Sequence, residues 1–151
     1  MSEDLVRNRK AFHNFHILET WEAGVALLGT EVKSLRDGKG QLQDAYVDIQ
    51  DGELWLKQAN ISPYLFGTHA NHEPLRARKL LLHRAEIHKI ISKAERKGFA
   101  VVPLALYLNE RGKVKVRIAL AEGKKAPDKK EALKEREAKR QMDRVRKGDR
   151  E

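Results

Sequence analysis

The stretch FAVVPLALYLNERGKVKVRIAL, residues 99–120, does most to set the fold class of this chain. It is typical of two strands joined by a turn at residues 109–112, Asn-Glu-Arg-Gly. In the second arm apolar and basic side chains alternate, which is the period of a strand with one buried face. The apolar positions are Val114, Val116, Ile118 and Leu120, and the basic ones are Lys113, Lys115 and Arg117. A β-hairpin with one apolar and one basic face is therefore expected.

A second hairpin is predicted at residues 47–56. Each arm alternates apolar residues with others, and the arms meet at residues 51–52, Asp-Gly, a strong signal of a type I′ turn. Another strand is expected over residues 12–28, with Gly24 as a bulge or bend. A weaker strand signal covers residues 59–65, which contain a proline. Strands therefore dominate the prediction.

Two helices are also expected. Residues 84–97 are the stronger candidate, because apolar residues recur at i, i+3, i+4 and i+7 and Gly98 stands where a C-terminal glycine belongs. Residues 31–36 form the shorter candidate, with Thr30 as N-cap and residues 37–38, Asp-Gly, as its stop. Several short strands with two helices predict a mainly β fold: a small antiparallel OB-like β-barrel with flanking short helices. The alternative is an open sheet with one helix packed across it.

The C-terminal part has a different composition. Residues 122–151 contain 12 basic and 8 acidic side chains and no aromatic residue. They lack a sustained apolar stripe, yet they are rich in good helix formers. We therefore predict two parts: an OB-like barrel at residues 1–121, and a basic, helix-prone tail at 122–151 that is disordered in isolation until a polyanionic partner orders it. A tail that only aids solubility is the competing interpretation.

Overall composition narrows the function classes. The net charge of +9 and the sequence pI near 9.8 favour a nucleic acid or an anionic surface as partner. The absence of cysteine excludes disulfides and cysteine-ligated zinc. The acidic start is unlike a secretory signal, and the longest apolar run, residues 100–108, is well short of the roughly 20 residues that span a bilayer. A soluble cytoplasmic protein with no membrane partner is the expectation.

Signals of catalysis or of metal binding are weak. The six histidines lack the spacing of known metal motifs, and the serines lack a G-x-S-x-G setting. Residues 38–40, Gly-Lys-Gly, are too short for a phosphate-binding loop. We therefore expect no enzyme, no cofactor and no metal site.

Basic clusters are the remaining signal. They lie at residues 7–10 and 76–79 and at Lys33 and Arg36. Each alone is typical of a solvated face, but together they favour binding of a folded RNA by its shape rather than of DNA. Trp21 and Trp55 are either stacking platforms for bases or packing residues.

Short sequence motifs across nearly the whole chain occur in the same order as those of one family. They are NRKA at residues 8–11, EAG at 22–24, GTEVKSLR at 29–36, DGE at 51–53, NISPY at 60–64, RKLLL at 78–82 and GKK at 123–125. With these motifs in this order, the chain resembles the SsrA-binding protein (SmpB) family. The resemblance implies an OB-like barrel with a long C-terminal tail. It also implies binding of transfer-messenger RNA (tmRNA) and its delivery to stalled bacterial ribosomes in trans-translation.

The resemblance also implies particular residues. In the family, the positions matching Asn8, Glu22 and Leu81 belong to a face that binds the elbow of the tRNA-like domain. To these we add phosphate contacts on physical grounds: Arg9, Lys10, Lys33, Arg36, Arg78 and Lys79. The tail, which in the family enters the decoding centre and mRNA channel of the ribosome, opens with Gly123, Lys124, Lys125, Asp128, Lys129 and Lys130. Lys130 stands where relatives often have arginine, so it lacks the bidentate fork. The alternative function is a generic OB-type RNA-binding or ribosome-associated protein whose tail only adds affinity.

Overall fold

Seven strands form one antiparallel sheet in the computed structural model, which describes residues 3–66, 71–96 and 98–124. These ranges contain nine strands in all, the seven of the sheet and a separate pair: β1 (Glu3–Arg7), β2 (Phe15–Val25), β3 (Gly40–Gln41), β4 (Tyr46–Gln50), β5 (Glu53–Lys57), β6 (Asn60–Ile61), β7 (Arg78–Leu81), β8 (Phe99–Leu108) and β9 (Val114–Gly123). The helices are α1 (Arg9–Asn14), α2 (Gly29–Arg36) and α3 (Arg84–Ala94). The order across the sheet is β1-β8-β9-β2-β7-β5-β4, and β3 pairs with β6 separately. The fold is thus mainly β and antiparallel, with few short helices.

The sheet is not closed into a barrel, and the barrel prediction was wrong on this point. Within the described ranges no ladder of hydrogen bonds joins the outer strands β1 and β4. Instead β1 packs against α2 and β3. Leu35 of α2 and Ile61 of β6 fill the main core beside Val6 of β1. Since no ladder joins the two outer strands, the sheet stays open, as the alternative prediction had it.

Both predicted hairpins are confirmed. In the first, Leu108 faces Val114, and the backbone N–H of Asn109 donates to the carbonyl of Lys113 at 2.9 Å. In the second, the turn residues Asp51 and Gly52 both have positive φ, 52° and 74°, as a type I′ turn requires. The turn chemistry and the period of two were therefore sufficient to place four of the strands.

Two apolar clusters lie on opposite faces of the sheet. On the inner face, Val116 and Ile118 of β9 belong to the main core, against which Ile90 of α3 packs. On the outer face a smaller cluster lies under α1, and it comprises Ala11, Val102, Leu104, Ala119 and Ala121. Since Arg117, Ala119 and Ala121 share one face of the unbulged β9, α1 covers one end of the outer face. The other end, around Arg117, is left for polar side chains.

Several predicted boundaries differ from the structure. Residues 12–14 belong to α1, and β2 starts at Phe15. The irregularity in β2 lies between Ile17 and Glu19 rather than at Gly24. Strand β6 has only two residues, and α3 ends at Ala94 instead of residue 97.

The N-terminus of α2 also differs from the prediction. The helix begins at Gly29, and the carboxylate of Glu31 accepts a hydrogen bond from the backbone N–H of Leu28 at 2.7 Å. Leu28 is therefore the N-cap position, and Thr30 lies inside the helix, where its hydroxyl is 2.9 Å from Nδ1 of His72. The stop at residues 37–38 is confirmed, with Asp37 as C-cap.

The predicted boundary between barrel and tail at residues 121 and 122 falls within a strand. Strand β9 runs to Gly123, and Glu122 pairs with both Phe99 and His16. The predicted tail sites Lys125, Asp128, Lys129 and Lys130 lie outside the described residues, as does the predicted tail helix. Among the described residues no helix is both long and apolar enough to cross a membrane.

Candidate nucleic-acid interface

The uncovered end of the outer face centres on Glu22 of β2. Glu22 lies directly opposite Arg117 of β9, and an opposite-charge pair in that position favours the pairing of the two strands. The hydroxyl of Tyr107 on β8 donates a hydrogen bond to Oε2 of Glu22. The guanidinium carbon of Arg117 lies 4.8 Å from the centre of the Tyr107 ring. Three adjacent strands thus contribute one linked group of side chains.

Tyr107 is the buried member of this group. Its side chain is only 4% exposed, whereas Glu22 is exposed. Burial, followed by the hydrogen bond to Glu22 and the charge of that carboxylate, raises the pKa of Tyr107 well above its usual range. The phenol therefore keeps its proton at neutral pH and remains a donor to Glu22.

A groove of about 480 Å³ opens beside this group. Its lining combines three basic and two acidic side chains with two neutral polar residues: Arg111, Lys115, Arg117, Glu22, Glu110, Tyr107 and Asn109. The turn of the β8–β9 hairpin supplies its far wall. Because basic side chains outnumber acidic ones, the groove suits an anionic ligand that also offers hydrogen-bond donors to a carboxylate.

The next strand continues the same face. Leu81 of β7 pairs with Gly24, which is two residues from Glu22 on the same side of β2. Leu81 is 51% exposed, and a Cβ at Gly24 would lie only 3.2 Å from the Cβ of Leu81. The absence of a side chain at residue 24 therefore allows this approach. Glu22 and Leu81, which are far apart in the sequence, share one exposed face.

Lys79 shares that face. It is two residues before Leu81 and lies opposite Trp55 of β5. Its side chain is 43% exposed, and its ammonium nitrogen is 3.9 Å from a carboxylate oxygen of Glu53. Trp55 is half-buried on this face, whereas Trp21 packs against the main core. Of the two tryptophans, only Trp55 thus lies beside the predicted site residues.

Asn8 has a different position from the other predicted site residues, because its side chain is buried. Its Nδ2 donates to the carbonyl of Pro103 at 2.8 Å, and its Oδ1 accepts from the backbone N–H of Ala11 at 3.2 Å. Asn8 therefore caps α1 and ties it to β8. As a result Arg9 and Lys10 are exposed at the start of α1, with Lys10 only 3.8 Å from Asp44.

Arg78 is not available as a phosphate contact, which corrects the prediction for this residue. Its side chain is 0% exposed. The guanidinium donates to Oε2 of Glu31 and to the carbonyl of Ala59, each at 2.7 Å, and to the carbonyl of Pro74 at 3.0 Å. The residue types around position 78 predict a basic cluster, but the alternation along β7 turns Arg78 inward while Lys79 and Leu81 face outward.

Arg76 is the second cation on Glu31. Its Nη2 donates to Oε1 of Glu31 at 2.7 Å and to the carbonyl of Ala26 at 3.1 Å. Burial alone would raise the pKa of Glu31, but hydrogen bonds from Arg76, the Leu28 backbone and Arg78 outweigh it, and the pKa is lowered. Glu31 is therefore a charged residue inside the protein, fully paired.

Lys33 and Arg36 are exposed on α2. The ammonium nitrogen of Lys33 is 5.6 Å from the centre of the Tyr64 ring. Arg36 donates to the carbonyl of Gly112 at 3.1 Å, so it braces the turn of the β8–β9 hairpin. The structure thus places the two residues on a helix that touches the hairpin turn and the loop before residue 67, not on the sheet face.

Lys124 is the last described residue, and it follows β9 beside α1. Gly123 pairs with Phe15. The backbone N–H of Lys124 donates to the carbonyl of Asn14 at 2.9 Å, and its ammonium group lies 3.4 Å from the carbonyl of Phe12. The chain beyond residue 124 therefore starts from the C-terminal end of α1.

The prediction from sequence did not include Tyr107, Arg111, Lys115 and Arg117, which line the groove. The alternation of basic residues along β9 placed Lys115 and Arg117 on one face, but nothing in the sequence placed that face beside Glu22. The pairing of β2 with β9 spans about 100 residues of sequence and was not visible. Among the described residues no cluster of three or more potential metal ligands occurs.

These features define a class: small, mainly antiparallel β proteins with a partly basic, exposed sheet face that bears a groove. Comparison with known proteins gives the family. The sequence model described as SmpB protein matches residues 5–148, and the chain belongs to that family.

Similar proteins cover nearly its whole length. The chain is 51% identical over 146 residues to an SsrA-binding protein of Symbiobacterium thermophilum, covering 97% of this chain and 92% of that one. It is 57% identical over 139 residues to an SsrA-binding protein of a Nostoc species, with 91% and 89% covered. Among solved structures, a chain from "tmRNA-SmpB: a journey to the center of the bacterial ribosome" is similar with 52% identity and a TM-score of 0.70, covering 84% of this chain and 92% of that one.

Proposed function

We propose that the chain binds the tRNA-like domain of tmRNA (SsrA RNA) and delivers it to stalled ribosomes for trans-translation. The observation that carries this proposal is the shared exposed face of Glu22 and Leu81, flanked by a basic groove, in a chain of the SmpB family. The face offers a carboxylate, an apolar side chain and cations, which suits a folded RNA with exposed bases. Since ribosomes lie in the cytoplasm, the protein acts there.

The division of labour follows from the composition of the two parts. The folded part binds the RNA, with Glu22, Leu81, Lys79, Arg9 and Lys10 as contacts and Asn8 as the residue that positions α1. Residues 125–151 supply a basic tail that becomes helical in the decoding centre and mRNA channel. In this proposal the protein is a binding factor without a catalytic step or a cofactor.

A binding comparison tests the proposal. The full-length protein should bind tmRNA, or a fragment carrying its tRNA-like domain, more tightly than an unrelated folded RNA of equal length at physiological salt. Equal affinity for both RNAs would favour a generic RNA-binding protein whose basic residues recognise only phosphates. A reconstituted tagging reaction on stalled ribosomes then measures delivery, with the protein omitted as control.

A further inference from the structure

We propose that the groove beside Glu22 binds one unpaired nucleotide of the RNA, and that Tyr107 is the residue that positions Glu22 for it. This inference rests on the proposed function, since it names a subsite of the same face. The volume of about 480 Å³ falls within the range of about 300–1,000 Å³ of small-ligand sites. A groove of this volume can hold one nucleotide.

The chemistry of the groove separates the base from the phosphate. An ionised carboxylate only accepts hydrogen bonds, so Glu22 suits the N–H groups on the edge of an unpaired base. Arg117 and Arg111 line the same groove and suit the phosphate. Because Glu22 would repel a phosphate, the arrangement gives the nucleotide one orientation.

Tyr107 fixes this arrangement from below. Its hydroxyl donates to Oε2 of Glu22, and within the described part of the chain no hydrogen bond or ion pair engages Oε1, which can therefore accept from the ligand. Its ring lies against the guanidinium of Arg117 at 4.8 Å. One buried side chain therefore holds both the carboxylate and the cation before the RNA arrives, and preorganised groups lose less freedom on binding.

The test is a double-mutant cycle of Tyr107→Phe and Glu22→Ala, measured with the tRNA-like-domain fragment of tmRNA over a range of salt. Tyr107→Phe keeps the ring against Arg117 and removes only the hydroxyl. We expect it to weaken binding about tenfold, the loss of a hydrogen bond to a charged group, with no change in salt slope. In the Glu22→Ala background the same change should have no effect, because the hydroxyl then has no carboxylate to hold.

Two comparisons complete the test. Tyr46→Phe, at an exposed tyrosine of β4, is the matched control and should leave affinity unchanged. Arg117→Gln should reduce the salt slope by about one unit, as the loss of one phosphate contact does. If Tyr107 had only a structural role, Tyr107→Phe would lower the melting temperature equally in the wild-type and Glu22→Ala backgrounds. Its effect would then not depend on Glu22.

Several results would overturn the inference. They are unchanged affinity of Tyr107→Phe, additive effects of the two changes, or an unchanged salt slope in Arg117→Gln. The proposed function would survive each of them if the wild-type protein still prefers the tmRNA fragment. If the wild type shows no such preference, the proposed function fails, and the cycle measured with the RNA that does bind still decides the role of Tyr107.

Discussion

Arg78 and Glu31 form an ion pair inside the protein, with 2.7 Å between the guanidinium and the carboxylate and neither side chain exposed. Arg78 belongs to β7 and Glu31 to α2, so the pair joins the sheet to the helix that fills its open side. Carbonyl groups of Ala59, Pro74 and Glu73 accept further hydrogen bonds from Arg78. A basic residue that the sequence places in an RNA-binding cluster is thus a part of the core.

Replacing Arg78 should therefore destabilise the folded protein rather than weaken RNA binding directly. In Arg78→Met the buried carboxylate of Glu31 loses one of its two cations, and breaking a buried pair costs about 3–5 kcal/mol. Urea unfolding followed by circular dichroism measures the loss. Lys79→Met on the same strand is the control, and its half-exposed side chain should change stability by less than about 1 kcal/mol. Equal stability of both variants would contradict the assignment of Arg78 to the core.

Acidification should weaken the same network. The pKa of Glu31 is lowered in the folded protein, because hydrogen bonds from Arg76, the Leu28 backbone and Arg78 outweigh burial. A lowered pKa means that Glu31 contributes its full stabilisation above the unfolded value of about 4.3, and that this contribution is lost as the pH falls through the lower folded value. Unfolding free energies from pH 7 downward should thus decline at acidic pH. Glu31→Gln should be less stable than wild type at pH 7, and its unfolding free energy should fall less on acidification. If the unfolding free energy of both proteins falls equally with pH, the stabilising titration belongs to another group.

The sequence was sufficient for local structure and insufficient for pairing across the chain. Asp51–Gly52 and the alternation along β9 predicted both hairpins, because a turn type and a period of two are local properties. The barrel was preferred over the open sheet because closure depends on which strands pair across the chain, and the sequence does not show that no ladder joins β1 to β4 in the described ranges. The exposure of Lys79 and the burial of Arg78 depend on the register of β7, and a cluster of basic residues in the sequence does not reveal that register.

Leu81 gives a prediction that separates binding from folding. Its side chain is about half exposed, so Leu81→Ala should cost little stability but should weaken binding of the tRNA-like domain. The salt slope should stay the same, because no charge is removed. Leu65→Ala, at a loop leucine that is 83% exposed and outside the strands, is the matched control in the same binding assay. Equal affinity of Leu81→Ala and wild type would remove Leu81 from the proposed interface.

The position of a C-terminal truncation should decide whether the folded part survives intact. Gly123 pairs with Phe15 and Glu122 with Phe99, so a cut after Lys124 leaves every described strand pair in place. This truncated protein should unfold cooperatively and bind tmRNA like the full chain, yet fail to support tagging. A cut after Leu120 should be less stable, because it removes the last pairs of β9 with β2 and β8. Loss of RNA binding after the cut at Lys124 would contradict the proposed division of labour.

Ala138→Pro tests whether the proposed tail helix matters for delivery. Oppositely charged pairs such as Glu135 with Lys139 contribute only about 0.2–0.5 kcal/mol each, which is too little to hold a helix without a partner. A proline within a helix costs about 3 kcal/mol, so a helix formed on the ribosome should be disrupted. We expect tmRNA affinity to be unchanged, since the sheet face is untouched, and peptide transfer on stalled ribosomes to be slowed.

The matched control for this experiment is Ala138→Ser, which changes the same position without removing a backbone donor. Tagging rates are compared at equal protein levels, with binding of the tRNA-like domain measured in parallel. Slow transfer with Ala138→Pro and near-normal transfer with Ala138→Ser is the expected pair of results, because only proline breaks the backbone hydrogen bonding of a helix. Wild-type rates with both variants would mean that the tail acts through its charge alone, in an extended form along the ribosomal RNA.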